Sequence, residues 1–451
     1  MSPPLLDAAA AIYAPSGQPV SRIYNPAGRI VWQVGQSPTT PIVVPETPTP
    51  TPAPQSRPAL RVATPPNMDI FRSSDSLSRM RTDQWTGALH PDTTAYVQSF
   101  VEQVNGTTSK AVSLNTWGLN QRFWVAHPDT PRVEVRFVSW NGTDLKRPKW
   151  DEYFGAVPIP SDASPALGDD RSIAIFDPVT YELWEMWKFR PKPGLPGSDN
   201  YYNAPYKTEI GGDYQASFGG YIKDTRLNRG IHGNVNGYTY GVAAASVSYG
   251  DLVIRASEAA VGGEINHALG MQMPKGARWN QFSWPAQRSD GRANGPVWMG
   301  ARFRLPPSLN IAGLSGLTPL ARKVARAAQR YGIVYMDTTT VTPTLVTEGG
   351  SPNLASDGRY VDPWDSLLAN TQVGGGRARW DVLAGIPWHL LEAMPAGWGQ
   401  DASTVVVDPP SGNTITVPSG DITPPVTTLT TPSAGSTTQR SFTAGGAYTD
   451  A

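Results

Sequence analysis

The chain has 451 residues, enough for two or three domains, with 37 basic and 37 acidic side chains and no cysteine. The absence of cysteine excludes disulfides, thiolate metal sites and a thiol nucleophile, and the balanced charge gives no long-range attraction to nucleic acid or to an anionic membrane. Charged residues make up only 16%, whereas Gly and Pro number 44 each and Trp 15, a mixture typical of a mainly β protein with long loops.

No stretch approaches the ~20 consecutive apolar residues that a membrane-spanning helix requires, so we expect no membrane insertion. Residues 1–17 contain no basic segment before their short apolar run, and a signal peptide is therefore not predicted. We expect the protein to be made in the cytoplasm and to reach the outside of a cell, if it does, by another route.

The first predicted unit is residues 1–36. It contains two strand-like runs around residues 25–28, a turn with Pro at its second position and Gly at its fourth, so we expect a β-hairpin. A hairpin of this size is only marginally stable alone. It docks on another protein as an attachment unit or packs on its own domain, and both alternatives stay open.

Two segments are too poor in large apolar residues to bury a core. Residues 37–66 are rich in Pro and Thr, which predicts an extended, semi-rigid linker. Residues 396–451 are rich in Thr, Ser, Pro and Gly, which predicts a low-complexity C-terminal segment with at most short strands. Between these two segments, residues 67–395 form the large domain.

The large domain, residues 67–395, has strand-like runs separated by Gly- and Pro-containing turns, which predicts a mainly β fold of β-sandwich or jelly-roll type with one or two short helices. The clearest helix carries Thr318 as N-cap and Pro319 in its first turn, and Gly332 ends it. The predicted helices lie near 93–105, at 317–331 and at 364–370, and a buried strand is predicted at 333–339.

The segment 263–269, GEINHAL, has a glutamate and a histidine three residues apart. On a strand Glu264 and His267 point to opposite faces. This argues against an acid–base pair and favours a core histidine that is hydrogen-bonded locally. If the chain is nevertheless an enzyme, the candidate catalytic residues are Glu264, His267, Asp290 and Arg302.

A polar loop, 287–295, follows the aromatic residue of a Trp-Pro-Ala sequence. A tryptophan face can stack on a sugar ring, while aspartate and arginine bind its hydroxyl groups. The candidate glycan-binding residues are therefore Trp284, Arg288, Asp290 and Arg292. The alternative is a structural loop with an Arg–Asp pair.

Arg302 and Arg304 lie two residues apart in the strand-like segment 300–305 and so face the same side. We expect them to form ion pairs with Glu264 or Asp290.

None of the five histidines stands at a metal-ligand spacing, and GxSxG, P-loop and GxGxxG motifs are missing. Neither a metal nor a cofactor is therefore expected. Paired carboxylates for glycoside hydrolysis need not be close in sequence. Many pairs of acidic residues are possible, and the sequence does not favour any one pair. The acidic residues considered are Asp177, Glu182, Glu185, Asp213, Asp224, Glu264, Asp290 and Asp337.

A series of motifs extends over residues 170–337. In chain order they are Asp170 with Asp177, Pro178, Glu182, Leu183, Trp184 and Glu185; Gly263 to Leu269; Trp284 to Ala286; Gly300, Arg302, Arg304 and Leu305; and Gln329, Tyr331, Gly332 and Asp337. Their order and spacing resemble a family of secreted bacterial proteins that also occurs among tail genes of phages infecting actinobacteria. The resemblance covers more than a third of the chain and implies a fold and a setting, but no reaction.

The chain departs from this family at two places. Residues 243–262 keep an apolar run but lack the usual Gly-Leu-Pro, and residues 342–360 replace an aromatic-rich end. At the other end of the chain, residues 21–24 and 28–32 resemble the short N-terminal unit of actinobacteriophage minor tail proteins.

These resemblances imply a structural minor tail protein of a phage tail tip, located in the virion and outside the cell. Its N-terminal unit would anchor to other tail proteins and its β domain would contact a host cell-wall glycan, with a homotrimer as the expected symmetry. An enzyme and a nucleic-acid partner are not expected. Two alternatives stay open: a hydrolase or lyase of envelope glycan, and a tail-tip component without any ligand.

Overall fold

The computed structural model describes strands at 22–24 and 30–33 and most of residues 88–400. The gaps within this stretch are residues 117–118, 140–144, 147, 167, 199–205, 229, 233, 236–237, 277–280, 292, 341, 350–352 and 355–359. The predicted linker 37–66 and nearly all of the predicted C-terminal segment 396–451 lie outside the described residues. The chain divides into two compact units, Met1–Arg61 and Val62–Ala451.

In the first unit the predicted hairpin is confirmed. Strand β1 (Arg22–Tyr24) pairs antiparallel with β2 (Ile30–Gln33). The register is irregular between Ile23 and Tyr24, so the turn end of the hairpin is not a regular ladder.

The second unit is rich in sheet, as its composition predicts, but its described residues hold six α-helices instead of the one or two short helices expected. Its strands are β3 (Ser113–Asn115), β4 (Gln121–Val125), β5 (Arg132–Val133), β6 (Val135–Phe137), β7 (Val157–Pro158), β8 (Ser172–Phe176), β9 (Leu183–Trp187), β10 (Arg190–Pro191), β11 (Tyr214–Ala216), β12 (Phe218–Ile222), β13 (Asn234–Val235), β14 (Tyr238–Thr239), β15 (Leu269–Met273), β16 (Arg302–Arg304), β17 (Ile333–Thr338), β18 (Thr344–Val346), β19 (Asn353–Leu354), β20 (Tyr360–Val361) and β21 (Glu392–Ala393). Its helices are α1 (Thr93–Asn105), α2 (Trp150–Phe154), α3 (Tyr249–Leu252), α4 (Ala256–Ala259), α5 (Pro319–Arg330) and α6 (Pro363–Ala369), with 3₁₀ turns at Ile311–Gly313 and Trp388–Leu390.

The sheets of this unit are mixed. A six-stranded sheet has the order β21-β16-β17-β15-β18-β3, and a four-stranded sheet has the order β12-β9-β8-β4. The pairs β15–β17, β3–β18 and β4–β8 are parallel. A jelly roll is built from antiparallel strands, so the mainly β class is confirmed but the jelly-roll topology is not.

The predicted helices are present because their signals are local. In α5 the Thr318 hydroxyl accepts a hydrogen bond of 2.9 Å from the Ala321 amide, and Pro319 fills the first turn. Gly332 then takes φ = 86°, the left-handed conformation that ends a helix at little cost for glycine. Helix α1 spans the predicted residues and buries Phe100 and Val104 among others.

Two main apolar cores lie beneath the sheets. The larger one contains the buried faces of α1 and α5 and the central strands β15 and β17. The second is aromatic and lies against the four-stranded sheet, where the rings of Phe137 and Trp150 stack with centroids 3.8 Å apart. An aromatic pair of this kind contributes about 0.5–1.5 kcal/mol beyond the area that it buries.

Strand β17 is distorted near its carboxyl end. Its parallel partner β15 aligns Met271 with Tyr335 but Gln272 with Asp337, so Met336 is an extra residue. A β-bulge bends the strand and re-aims the side chains beside it, and bulges are frequent next to functional sites. Here the bulge sets the direction of the Asp337 side chain.

Candidate functional site

The carboxyl group of Asp337 is held at the bulged end of β17. Its Oδ2 accepts a hydrogen bond of 2.8 Å from the Tyr249 hydroxyl, and its Oδ1 accepts one of 2.8 Å from the Thr338 amide. Burial of the group, followed by the negative charge of Asp290, raises the pKa of Asp337 to about 8, and Asp170 adds to this rise. Asp337 therefore carries a proton at neutral pH, because the hydrogen bonds only partly offset these effects.

Backbone contacts bring the loop of Asp290 to this position. The Gln287 amide donates to the Ala245 carbonyl over 2.9 Å, and the Ala245 amide donates to the Met336 carbonyl over 2.9 Å. The loop is thus two hydrogen bonds away from the bulge of β17. Asp290 itself is exposed to solvent.

Asp170 approaches the same place from the chain before β8. Its Oδ1 accepts a hydrogen bond of 2.9 Å from the Trp187 indole. Burial lowers the pKa of Lys188, and the neighbouring carboxylates, Asp170 first among them, oppose this. Burial and then Asp337 and Asp170 raise the pKa of Tyr249, so the hydroxyl remains protonated and able to donate.

A second tyrosine, Tyr335, lies on β17 two residues before Asp337. It is fully buried, and its hydroxyl has no hydrogen-bond partner among the described residues. Burial raises the pKa of Tyr335, and the charges of Asp337 and Asp290 add to the rise. A Cβ atom at Gly276 would collide with this hydroxyl, so only glycine fits there. We call Asp170, Tyr249, Asp290, Tyr335 and Asp337 the acidic site.

A buried polar cluster fixes the segment that carries Tyr249. Glu185 on β9 accepts from the Ser248 hydroxyl over 3.1 Å and from the Gly250 amide over 3.3 Å. Its other oxygen lies 2.7 Å from Nε2 of His232, and both side chains are fully buried. This cluster has no access to solvent, so its role is to connect the four-stranded sheet to the acidic site.

For segment 263–269, the structure confirms that Glu264 and His267 face opposite ways. The prediction that this segment is a strand is wrong. Glu264 is exposed and His267 is buried, but β15 begins only at Leu269. His267 bonds locally to the Ala268 carbonyl over 2.6 Å and to Glu258 over 3.2 Å. It is a structural histidine, as predicted, and its acidic partner is Glu258.

Glu264 lies instead in a groove of about 440 Å³ near the other end of β17. Its lining residues are Glu264, Ile265, Asn266, Pro307, Arg326, Gln329, Arg330 and Tyr331. Since Tyr331 precedes β17 and Asp337 lies near its other end, Glu264 does not join the acidic site.

The predicted pairing of the two arginines of β16 is corrected by the structure. Arg304 pairs with Glu392 over 2.7 Å, because Glu392 on β21 is its cross-strand neighbour. Arg302 is buried, donates to the Tyr331 carbonyl and stacks 4.8 Å from the Trp398 ring. The described partners of both arginines are thus structural ones, Glu392 for Arg304 and the Tyr331 carbonyl for Arg302.

Three of the four predicted glycan-binding residues are described. Trp284 is buried in the larger core, so its face is not available to a sugar ring. Arg288 donates to three backbone carbonyls of residues 241–244 and lies 4.7 Å from the Phe218 ring, which ties down its own loop. Asp290 belongs to the acidic site, and Arg292 lies outside the described residues.

Sequence reasoning missed two members of the acidic site, Tyr249 and Tyr335, since neither lies in a motif with a recognisable spacing. Asp170 entered only through the family resemblance, and Asp337 was one of eight acidic residues among which the sequence selected none. Within the part of the chain that the structure describes, no group of three or more potential ligands could hold a metal ion, and no helix is long and apolar enough to cross a membrane.

No protein family, curated protein or solved structure matches the chain.

Proposed function

We propose that this protein is a component of a phage tail tip, anchored through its N-terminal hairpin unit, and that its sheet-rich domain contacts a carbohydrate of the host cell envelope at the acidic site. The resemblance of residues 170–337 and of the N-terminal unit to tail proteins supports the setting. The proposal needs only a rigid, sheet-rich domain, and a sandwich or jelly-roll topology is no part of it.

The observation that carries the choice of ligand is the Tyr249–Asp337 hydrogen bond, together with the charges of Asp290 and Asp170 that act on the same carboxyl group. Carboxylate oxygens accept hydrogen bonds from sugar hydroxyls, and a protonated carboxyl group both donates and accepts. The charges of Asp170 and Asp290 oppose an anionic ligand such as a phosphate. A neutral, polyhydroxylated ligand is therefore the class that the acidic site suits.

The test is co-sedimentation of the purified full chain with cell-wall sacculi of an actinobacterium. We expect the wild type to sediment with the sacculi and Asp290→Ala to bind at least tenfold more weakly. Glu264→Gln is the matched control, because it changes an exposed carboxylate in the groove near the other end of β17. If the wild type stays in the supernatant, or if Asp290→Ala binds as well as the wild type, the proposal is wrong.

A further inference from the structure

We propose that the groove near the start of β17 binds an acidic peptide segment of a partner protein, with the carboxylates of that segment on Arg326 and Arg330. The inference goes beyond the proposed function and does not rest on it, since the acidic site lies near the other end of β17. The groove has a volume of about 440 Å³, within the ~300–1,000 Å³ that binding pockets usually have. We call it the arginine groove.

The walls of the arginine groove are fixed by hydrogen bonds. Gln329 on α5 donates from Nε2 to the carbonyls of Pro306 and Leu309 over 2.8 and 2.9 Å, which holds their segment as one wall. The Tyr331 hydroxyl donates to Oδ1 of Asn266 in another wall over 3.4 Å. A groove that is formed before binding avoids the cost of ordering its side chains when a ligand arrives.

The segment that carries Glu264 is held on both sides. Before it, Lys323 of α5 donates from Nζ to the Ala260 carbonyl over 2.5 Å. After it, the Leu269 amide donates to the Gly332 carbonyl over 2.9 Å. This wall is therefore fixed as well, and the negative charge of Glu264 keeps the carboxylates of a ligand on the α5 side of the groove.

Arg326 and Arg330 give the groove its positive charge. They are exposed and lie four residues apart on α5, so they share a helix face with Cβ atoms roughly 5–6 Å apart. Two like charges at this spacing destabilise a helix. Arg330 lies in the last turn, where a cation is favoured, and its guanidinium lies 5.2 Å from the centroid of the Tyr331 ring. Arg326 has no hydrogen bond or ion pair with any residue that the structure describes, and a carboxylate bound to both guanidinium groups removes the repulsion between them.

The charge and the lining of the groove select the class of ligand. A guanidinium group binds a carboxylate through two parallel hydrogen bonds. Alternate side chains of an extended peptide point to the same side about 6.5 Å apart, a spacing close to that of the two arginines. Pro307 offers an exposed apolar contact and Asn266 an exposed amide for the peptide backbone. Tyr331 is only 5% exposed and offers no face to a sugar ring, so a peptide suits the groove better than an acidic glycan.

The experiment measures the fluorescence anisotropy of two labelled peptides mixed with the purified full chain. One peptide has glutamates at alternate positions between glycines, and the other has glutamines in their place. We expect the glutamate peptide to bind about tenfold or more tightly than the glutamine peptide, and its binding to weaken as salt is added. Arg326→Gln and Arg330→Gln are each expected to weaken binding of the glutamate peptide about tenfold or more. Arg226→Gln is the matched control and is expected to bind as the wild type does, because Arg226 is exposed, pairs with Asp224 and lies outside the lining of the groove.

Arg326→Lys is the second variant. It keeps the charge and loses the planar fork, so we expect binding between that of the wild type and that of Arg326→Gln, at an unchanged melting temperature. The comparison of the two peptides needs only the wild type, so it stays valid if a variant fails to fold.

Equal binding of the two peptides by the wild type, or wild-type binding by Arg326→Gln, overturns the inference. Tighter binding of polygalacturonate than of the glutamate peptide also overturns it, in favour of an acidic glycan. Sedimentation with sacculi is expected to be the same for Arg326→Gln and the wild type, so a failure of peptide binding leaves the proposed function standing.

Discussion

The Tyr249 hydroxyl donates a hydrogen bond of 2.8 Å to Oδ2 of Asp337. This bond joins helix α3, which is held against the four-stranded sheet through Glu185, to the bulged end of β17 in the six-stranded sheet. The acidic site is therefore built where elements of the two main sheets meet. Its geometry depends on both sheets, and its ionisation is coupled to folding.

The first prediction concerns the pH dependence of stability in Asp337→Asn. The pKa of Asp337 is about 8 in the folded chain and about 4 in the unfolded chain. Between these values the folded state holds a proton that the unfolded state has lost, so the stability of the wild type falls as the pH rises from about 4 to about 8. An asparagine does not titrate, so the stability of Asp337→Asn does not fall with pH for this reason.

We therefore expect the difference in unfolding free energy to shift in favour of Asp337→Asn between pH 5 and pH 9, by an amount on the order of 4 kcal/mol. Urea denaturation at several pH values measures it. Glu264→Gln, at an exposed carboxylate, serves as the control. A pH-independent difference between Asp337→Asn and the wild type would contradict the raised pKa.

The second prediction compares two Tyr→Phe substitutions. Tyr335 loses a buried hydroxyl that has no described partner, so Tyr335→Phe is expected to stabilise the fold by about 1 kcal/mol. Tyr249 loses a hydrogen bond to Asp337, so Tyr249→Phe is expected to destabilise it by about 1–3 kcal/mol. The two melting temperatures should move in opposite directions. Equal shifts of the same sign would show that the Tyr335 hydroxyl is satisfied in solution.

Much of the fold could be predicted from local signals. Helix α5 has its N-cap, its first-turn proline and its terminal glycine within its own segment of the sequence. The spacing of apolar residues predicted α1. The start of β15 could not be predicted in this way. Pairing begins at Leu269 because its partner strand begins at Ile333, immediately after a helix far along the chain.

Less of the acidic site was predictable. Asp290 could be singled out as a carboxylate in a polar loop, but the neighbouring Trp284 and Arg288 are used for packing and for holding the loop. The approach of Asp290 to Asp337 depends on the hydrogen bonds through Ala245 and on the extra residue in β17. A bulge of this kind arises from tertiary pairing and leaves no spacing in the sequence.

The third prediction concerns the buried Glu185. Glu185→Ala removes the acceptor of the Ser248 hydroxyl and of the Gly250 amide, and it leaves His232 facing a cavity. Breaking a buried network of this kind is expected to cost about 3–5 kcal/mol. Thermal unfolding followed by circular dichroism measures the loss.

Glu134→Ala is the control for this substitution. Glu134 forms an exposed pair with Arg136 over 3.0 Å, and such a pair contributes ~0–1 kcal/mol. Similar losses in Glu185→Ala and Glu134→Ala would mean that Glu185 is not buried in the folded protein.

The fourth prediction separates attachment from folding. The hairpin of β1 and β2 belongs to a different unit from the large domain, and a two-stranded hairpin is only marginally stable unless it packs on something else. If the hairpin unit is the attachment unit, deleting residues 1–36 removes the chain from assembled particles, because the remaining residues lack that attachment surface. The melting temperature should stay within about 2 °C of the wild type, since the larger core belongs to the second unit. Particle composition by mass spectrometry and calorimetry of the purified variant give the two readouts. Normal incorporation of the deleted chain contradicts the anchoring role, whereas a large drop in melting temperature assigns the hairpin to the stability of its own chain.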